Sequence, residues 1–161
     1  MTAGRFHHLI IAIAIGISSC APAVPAAVVK PATTPTPKPK PRPARLNGRG
    51  KISSISLTEV FALQQSGQAL IFDARPGFFY GLGHLPGAIN LPKAGCDVEI
   101  EKREAEIKAA LAANKTIVVY CTNLLCPDAR TVAMHLAGFG YSSSTLAGGW
   151  ESWKESGLPT E

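Results

Sequence analysis

Cys121 and Cys126 stand close together in the stretch VVYCTNLLCPDAR, between an apolar run and a proline. Two cysteines at this spacing suit a redox pair, half of a metal site, or one reactive thiol with a neighbour. A structural zinc ion needs four ligands, and the sequence has no second closely spaced cysteine pair. His135 falls in the middle of a helical pattern, where a surface or core role is the ordinary one. We therefore expect no metal.

The residues around Cys121 predict a strand before it and a helix after it. Thr116–Tyr120 consists of four β-branched residues and an aromatic one, which is typical of a strand. Pro127 and Asp128 suit the first turn of a helix that runs to Gly138. Loop N–H groups and the positive end of the helix dipole would then face the Cys121 sulfur. Such surroundings lower the pKa of a thiol and stabilise the nucleophilic thiolate. The alternative is an inert cysteine buried at a strand end.

Strand-like and helix-like segments alternate through the chain after residue 51. Ser56 and Glu59 have the spacing of a helix capping box, and ALIFDAR is a short apolar run whose strand ends at Asp73. The other predicted elements are a strand at 88–90, a helix at 97–113, a strand at 144–146 and a helix at 151–156. This alternation predicts an α/β fold, with a mostly parallel sheet of about five strands and helices on both faces. In such sheets reactive groups collect beyond the carboxyl ends of the strands, where Cys121 is expected.

The charges of the chain are unevenly distributed, and this bears on its partners. The 161 residues carry a formal net charge of +5. Eight of the 16 basic residues lie in residues 1–51, which hold no acidic residue. Residues 52–161 hold the other eight and all 11 acidic residues, so their net charge is 8 − 11 = −3. A mildly acidic domain argues against a basic groove for nucleic acid.

Residues 1–19 resemble a lipoprotein-type signal peptide. The apolar run 9–17 is about half of the roughly 20 residues that span a bilayer, so it suits the h-region of an export signal better than an anchor helix. The ISSC that follows resembles the bacterial lipobox, in which the cysteine, here Cys20, is lipidated and becomes the new N-terminus. Ala21 after it favours the outer membrane. We expect a protein anchored on the periplasmic side of the cell envelope. Ordinary cleavage within APAVPAA would instead release a soluble periplasmic or secreted protein.

Residues 20–50 have the composition of a tether. They are rich in Pro, Ala and Lys, and proline occupies nearly every second position from Pro35 to Pro43. Such a segment favours an extended, polyproline-like chain that cannot bury a core. We predict a disordered spacer here and a single globular domain over residues 51–161. The basic charge of the spacer also suits contact with anionic lipid or cell-wall polymer.

Residues 52–161 resemble a single-domain rhodanese, the sulfurtransferase homology domain. IFDARPGFFYGLGHLPGAINLP is similar to the family's Asp-x-Arg followed by Gly-His-x-Pro-Gly-Ala, and IVVYC to its catalytic strand and cysteine. LAGFGY and LAGGWESWKESGLP are similar to its closing region. These stretches occur in the family's order and spacing across the whole predicted domain. The resemblance implies a parallel sheet flanked by helices.

The resemblance also implies a reaction. The Cys121 thiolate would take a sulfane sulfur from thiosulfate, a polysulfide or a persulfide, become a persulfide itself, and pass the sulfur to a thiol or to cyanide. The backbone N–H groups of four loop residues would cradle the persulfide and the donor oxyanion: Thr122, Asn123, Leu124 and Leu125. Such a reaction needs no metal or organic cofactor. Its partners are a small sulfur-containing substrate and a thiol acceptor, and no protein partner is implied.

The loop after Cys121 departs from the family's pattern. The family often has a glycine three residues after the cysteine and an arginine five after it, where this chain has Leu124 and Cys126. The counter-charge for an anionic donor is therefore missing from the loop, which argues against thiosulfate. Arg130 is either a substitute for it or a surface residue. Related phosphatases need a cysteine and an arginine separated by five residues, and position 127 is a proline, so phosphatase activity is not expected.

Two interpretations of Cys126 stay open at this point. It is either a resolving thiol, which attacks the persulfide or forms a disulfide with Cys121, or a residue that merely fills the arginine's place. An oxidising compartment favours the disulfide. If that bond is the working form, the domain is a redox-sensing or sulfur-binding module without efficient turnover, and not an enzyme. Cys96, which follows INLPKAG, is expected to be a partly exposed bystander.

The sequence also predicts roles for the polar and aromatic residues from Asp73 to His84. Asp73 and Arg75 are expected to form a fold-stabilising polar network, with anion binding by Arg75 as the alternative. His84 belongs to the turn motif and is expected to be structural. Phe78, Phe79 and Tyr80 are expected to pack in the core, with the rim of the pocket as the alternative place.

Cys20→Ser tests the predicted anchor. In a bacterial host, wild-type protein should incorporate a radioactive fatty acid, and the variant should lose this labelling because the acceptor thiol is gone. Labelling is measured after electrophoresis, with protein amount as the control. Equal labelling of the two proteins would refute lipidation at Cys20.

Overall fold

The computed structural model describes residues 49–161. These residues form five strands and six helices, and the α/β fold with a parallel sheet is confirmed. The predictions for the signal peptide, Cys20 and most of the tether lie outside the described residues. No helix in the described part is long and apolar enough to span a bilayer. The elements are β1 (Ile52–Ile55), α1 (Leu57–Gln65), β2 (Ala69–Asp73), α2 (Gly77–Gly81), β3 (Ile89–Asn90), α3 (Cys96–Lys102), α4 (Glu104–Ala112), β4 (Thr116–Tyr120), α5 (Asp128–Gly138), β5 (Ser143–Leu146) and α6 (Gly149–Glu155).

The sheet has the strand order β1-β5-β4-β2-β3, and every neighbouring pair is parallel. The pairing of β2 with β4 runs from Ala69 beside Thr116 to Asp73 beside Tyr120. Since Asp73 and Tyr120 are the last residues of their strands, β2 and β4 end at the same level. The segments that follow them therefore leave the sheet side by side, at the carboxyl edge where ligands bind in open α/β sheets.

Both faces of the sheet are buried. Along β4, Ile117 and Val119 belong to one apolar cluster, and Val118 and Tyr120 to another. The first cluster includes residues of α3, α4 and α5, and the second includes residues of α1 and α6, among them Trp153. Full burial of side chains of this size contributes about 1.5 to 3 kcal/mol each. Burial on both faces explains why the central strands read as continuous apolar runs rather than as an alternation.

The helix predicted over residues 97–113 is wrong in one respect, because the structure divides it at Arg103. Arg103 has φ −97° and ψ 10°, ends α3 and precedes α4. Ile100 and Ile107 on either side of the break are both fully buried in the same cluster. A periodicity of apolar residues cannot reveal such a break, since these two residues face the same way with or without it. The short helix α2 was also not predicted, and its sequence, GFFYG, has two glycines that lower helix propensity.

A buried polar network closes the carboxyl edge between β2 and β4. Asp73 is fully buried and Arg75 is 3% exposed. The Arg75 Nε donates to both carboxylate oxygens of Asp73 at 3.0 Å, and its Nη2 donates to Oδ2 at 2.6 Å. Nη2 also donates to the carbonyl of Gly83 at 2.7 Å, and the Tyr120 hydroxyl donates to Asp73 Oδ2 at 2.6 Å. The backbone N–H of Leu85 donates to that hydroxyl at 3.2 Å. The network thus joins two strands to the turn that follows α2.

Burial and the neighbouring charges set the protonation of this network. Burial raises the pKa of Tyr120, and the charge of Asp73 and the hydrogen bond to it raise it further, so the hydroxyl stays a donor. Burial by itself would lower the pKa of Arg75, but the hydrogen bond to Asp73 and its charge outweigh this and raise the pKa. Arg75 is therefore a permanent cation whose counter-charge is Asp73.

Asp73→Asn tests how far the fold depends on this pair. The amide keeps the shape of the side chain but leaves the buried Arg75 charge uncompensated, so the free energy of unfolding should fall by about 3 to 5 kcal/mol. Urea unfolding followed by circular dichroism measures the change. Lys108→Gln, which breaks an exposed ion pair with Glu104 on α4, is the control and should have little effect. Similar stabilities for wild type and Asp73→Asn would contradict the assignment.

Candidate active site

Cys121 lies directly after the last residue of β4, at the carboxyl edge of the sheet. Its side chain is 2% exposed and belongs to the cluster that contains α5 residues. The N–H of Ala74, just after β2, donates to the carbonyl of Tyr120 at 2.8 Å. The predicted strand-end position of Cys121 is therefore the observed one, and the end of β2 holds the residue before it in place.

The start of α6 holds the backbone of Cys121 from the other side. The Trp150 N–H donates to the Cys121 carbonyl at 2.9 Å, and the Glu151 N–H donates to the Thr122 carbonyl at 2.9 Å. Gly149 has φ +56°, and a Cβ at this position would collide with the Cys121 carbonyl. Only glycine meets both conditions, so Gly149 allows α6 to approach the backbone of Cys121. In the sequence this motif was evident only as part of the closing region of the family resemblance, and its contact with Cys121 was not predicted.

Trp150 also connects the site to the buried network. The Arg75 guanidinium lies over the indole ring, 4.7 Å from its centroid, in the geometry of a cation–π contact. Ring carbons of Trp150 also lie 3.3 Å from the ideal Cβ position of Gly83. Arg75 is thus bound to Asp73, to the Gly83 carbonyl and to Trp150. Arg75 therefore lies in a polar network with Asp73, as the sequence predicted.

The segment between β4 and α5 folds back on itself in a turn. The Cys126 N–H donates to the Asn123 carbonyl at 3.3 Å, and the Leu125 N–H donates to Asn123 Oδ1 at 3.2 Å. Leu124 and Leu125 are 76% and 89% exposed, whereas Cys126 packs against the same apolar cluster as Cys121. The turn therefore directs the two leucines to solvent and brings Cys126 back towards the strand end.

The structure joins Cys121 and Cys126 in a disulfide, with their Cα atoms 6.2 Å apart. It therefore brings together the two cysteines that the sequence singled out. Thr122 lies beside the bond, with its hydroxyl oxygen 4.0 Å from Cys121 Sγ. In this oxidised form the Leu125 and Cys126 N–H groups donate to Asn123, so these two donors are occupied within the loop itself.

Three basic residues on the elements around the loop are engaged or exposed. Lys93 Nζ lies 2.6 Å from Asp128 Oδ1, in the first turn of α5. Arg130 is exposed on the same helix. Arg75 is held by Asp73. The loop itself, residues 122–126, carries no charged side chain.

Cys96 is buried, which corrects the expectation of a partly exposed bystander. It is 2% exposed, begins α3, and belongs to the same cluster as Cys121. Burial first, and then the charge of Asp97, raises the pKa of its thiol, so Cys96 stays protonated at neutral pH. Local sequence could not show this, because the burial comes from the packing of α3 against α5.

Two groups of possible metal ligands occur within residues 49–161. Cys96, Asp97 and His135 place their ligand atoms within 4.8 Å of one another, and His135 Nδ1 lies 2.6 Å from Asp97 Oδ1. Cys121, Cys126 and Asp128 form the other group, whose sulfur atoms are bonded to each other. Sequence spacing gave no sign of the first group, since α3 and α5 are distant in the chain.

His84 and the aromatic residues of α2 lie in the segment between β2 and β3. The His84 ring stacks on Tyr80 with centroids 3.9 Å apart, and its backbone N–H donates to the Glu161 carbonyl at 2.7 Å. These contacts are those of a residue that fixes a turn. Phe78 and Phe79 are 73% and 50% exposed, so the expectation of core packing is wrong for both. The helix α2 is one and a half turns long and lies at the edge of the sheet, where it leaves these rings in solvent.

Comparison with known proteins identifies the domain. A family model for the rhodanese-like domain matches residues 56–156, which is more than half of the chain. The HTH-type transcriptional regulator Rv0324 of Mycobacterium tuberculosis (strain ATCC 25618 / H37Rv) is 33% identical over 111 residues. That match covers 67% of this chain and 44% of the regulator, so the chain spans less than half the length of this curated relative.

Solved structures agree with this match. The BH2092 protein from Bacillus halodurans superposes with a TM-score of 0.58 at 24% identity, over 68% of this chain and 76% of that one, and shows the common fold. A protein from Lactobacillus plantarum reaches 0.54 at 28% identity, over 67% and 87%. A thiosulfate sulfurtransferase from Pseudomonas aeruginosa reaches 0.50 at 28% identity, over 68% of this chain and 20% of that one.

Alkylation tests the states of the three cysteines in the described domain. In protein purified without reductant, the peptide containing Cys121 and Cys126 should resist iodoacetamide even after unfolding, and its mass should be lower by two hydrogens. Cys96 should react only after unfolding, because it is buried and its raised pKa keeps it protonated. Mass spectrometry of the digest gives both results, with a reduced sample as the control. Labelling of Cys121 without reductant would contradict the bond.

Proposed function

The chain belongs to the rhodanese-like domain family, and from this premise we propose that it is a sulfurtransferase in which Cys121 carries sulfur as a persulfide. The position of Cys121 is the observation that supports the proposal. It lies at the carboxyl end of the central β4, its carbonyl is held by the Trp150 N–H, and the turn after it leads into α5. Once the disulfide is reduced, the N-terminal end of α5 favours the Cys121 thiolate.

The proposed transfer has two displacement steps at sulfur. The Cys121 thiolate attacks the outer sulfur of a donor R–S–SH, a new bond to Cys121 Sγ forms, and the donor's S–S bond breaks as the thiolate RS⁻ leaves. An acceptor thiolate then attacks the outer sulfur of the Cys121 persulfide, and the Cys121 thiolate returns as the leaving group. Cyanide accepts the sulfur in the same way. The steps require thiolates and no net oxidation, and the chemistry calls on no metal or organic cofactor.

The residues of the loop support a persulfide or polysulfide donor over thiosulfate. Thiosulfate carries two negative charges, and anionic groups in proteins are held by cations and by free N–H groups. The loop has no charged side chain, Arg75 is bound to Asp73, and Leu124 and Leu125 present apolar surface at the turn. A donor with a small or uncharged group near its sulfane sulfur suits these surroundings better.

A second candidate function is a redox or sulfur-binding module without efficient turnover. The disulfide between Cys121 and Cys126 favours it, because the bond occupies the sulfur that would carry the persulfide. The curated relative in Mycobacterium tuberculosis is named a transcriptional regulator, which suits a sensing role for the shared domain. In this case oxidation and reduction of the pair would be the signal.

We also propose that the domain works at the cell envelope. The ISSC motif supports lipidation at Cys20, and the Pro-rich residues 20–50 suit a spacer between membrane and domain. The periplasmic side of the outer membrane is the location proposed, with a soluble periplasmic or secreted protein as the alternative. An oxidising compartment would favour the disulfide form at rest.

The mass of the intact protein tests the main proposal. Reduced protein, freed of reductant, is incubated with glutathione persulfide and in parallel with thiosulfate. Cys126→Ser should gain one sulfur from glutathione persulfide, with less from thiosulfate, and Cys121→Ser should gain none because the nucleophile is missing. Absence of any sulfur adduct on Cys126→Ser with either donor would refute Cys121 as a sulfur carrier. A pair that only loses two hydrogens in response to oxidants would favour the second candidate.

A further inference from the structure

We propose that Cys126 is a resolving thiol that displaces the outer sulfur from the Cys121 persulfide, so that the domain releases hydrosulfide from sulfane donors and passes through the disulfide in each cycle. The inference rests on the proposed function, because it needs the Cys121 persulfide as its starting point. It goes beyond sulfur transfer, since the product is sulfide and not a sulfur passed to an external thiol.

The disulfide identifies the atom that Cys126 can reach. In the structure Cys126 Sγ is bonded to Cys121 Sγ, and the backbone of the loop allows this with the Cα atoms 6.2 Å apart. In a Cys121 persulfide, that same Sγ is the inner sulfur, which carries the outer sulfane sulfur. Attack by Cys126 on the inner sulfur therefore needs only the arrangement that the fold already adopts.

The reaction balances without an external oxidant. The Cys126 thiolate attacks Sγ of Cys121–S–SH, the bond between Cys121 and Cys126 forms, and the bond to the outer sulfur breaks. The outer sulfur leaves as HS⁻ with the electron pair, so it is reduced by two electrons while the two cysteines are oxidised to the disulfide. A dithiol reductant then restores both thiols by exchange, and becomes a disulfide itself. Over one cycle a dithiol reduces one sulfane sulfur to hydrosulfide.

The loop holds the attacking thiol near its target. The Asn123 carbonyl accepts from the Cys126 N–H, and the Asn123 side chain accepts from the Leu125 N–H, which defines the turn. The carbonyls of Cys121 and Thr122 are held by α6 at the other end of the loop. A thiol restrained in this way reacts at a high effective concentration, so it competes well with acceptors in solution.

Cys126 is better suited to this role than the other thiol of the domain. Cys96 is also in the apolar cluster, but it is 2% exposed and its raised pKa keeps it protonated. Cys126 is partly exposed and directly precedes Pro127, which caps the N-terminal end of α5. Thiolates are favoured at that end of a helix, and the disulfide is independent evidence that its sulfur faces Cys121.

Single-turnover measurements on the full chain test the inference. All proteins carry Cys20→Ser, so that only the cysteines of the domain react. After reduction and removal of reductant, each receives one equivalent of glutathione persulfide without oxygen. Hydrosulfide is trapped with monobromobimane, and the intact mass of the protein is recorded. The protein with all three domain cysteines should release about one equivalent of hydrosulfide and lose two hydrogens.

Three variants make the result specific. Cys126→Ser should keep one extra sulfur and lose the hydrosulfide release, apart from the background produced by free glutathione. Cys126→Ala should behave in the same way, which guards against an effect of the serine hydroxyl on folding. Cys96→Ser is the matched control, because it also removes one thiol and should behave like the parent protein.

The outcomes separate this inference from the proposed function. If Cys126→Ser gains no sulfur, Cys121 is not a sulfur carrier and both proposals fail. If Cys126→Ser gains sulfur and the parent protein keeps it equally long, the proposed function stands and the inference is overturned. Transfer of the sulfur to Cys126, seen by peptide mapping as a persulfide there, would also overturn it. Repeated hydrosulfide release with dithiothreitol, lost in Cys126→Ser, would support it.

Discussion

The burial of one charge pair organises the end of the sheet where the candidate site lies. Arg75 is a cation with 3% exposure, and such a charge is tolerated only when its partner and hydrogen bonds are complete. Asp73, Tyr120 and the Gly83 carbonyl complete them, and these groups come from β2, β4 and the turn after α2. Because Cys121 follows Tyr120 directly, the network that satisfies Arg75 also sets the position of Cys121.

The loop after Cys121 carries a thiol at the place where the family resemblance implies an arginine. There, Cys126 is bonded to Cys121. An arginine stabilises an anionic donor through its charge, whereas a thiol reacts with the sulfur itself. The surrounding groups agree with this exchange, since the leucines of the turn are exposed and the loop carries no charged side chain. These features are the basis of the proposal that a persulfide or polysulfide is the donor.

The three cysteines of the domain have the same side chain and different surroundings, and the surroundings assign their chemistry. Cys96 is buried between helices and lies beside Asp97. Burial first, and then the charge of Asp97, raises the pKa of its thiol, which therefore stays neutral. Cys121 is fixed at a strand end by backbone contacts with α6. Cys126 is partly exposed, on a turn shaped by Asn123. Of the three, Cys121 and Cys126 are joined in the disulfide, and Cys96 is the free thiol.

The sequence by itself determined the features that depend on neighbouring residues. The β-branched run Thr116–Tyr120, the capping box at Ser56 and the strand-end position of Cys121 could be predicted because side-chain periodicity and local propensity act over a few residues. The tertiary structure decided the burial of Cys96, the break at Arg103, the exposure of Phe78 and Phe79 and the contact between the two sulfur atoms. These features depend on which helix packs against which strand, and on the exact path of a turn. Contacts between residues distant in the chain determine the packing, and in the turn the contacts of α6 with Cys121 and Thr122 act together with the hydrogen bonds of Asn123.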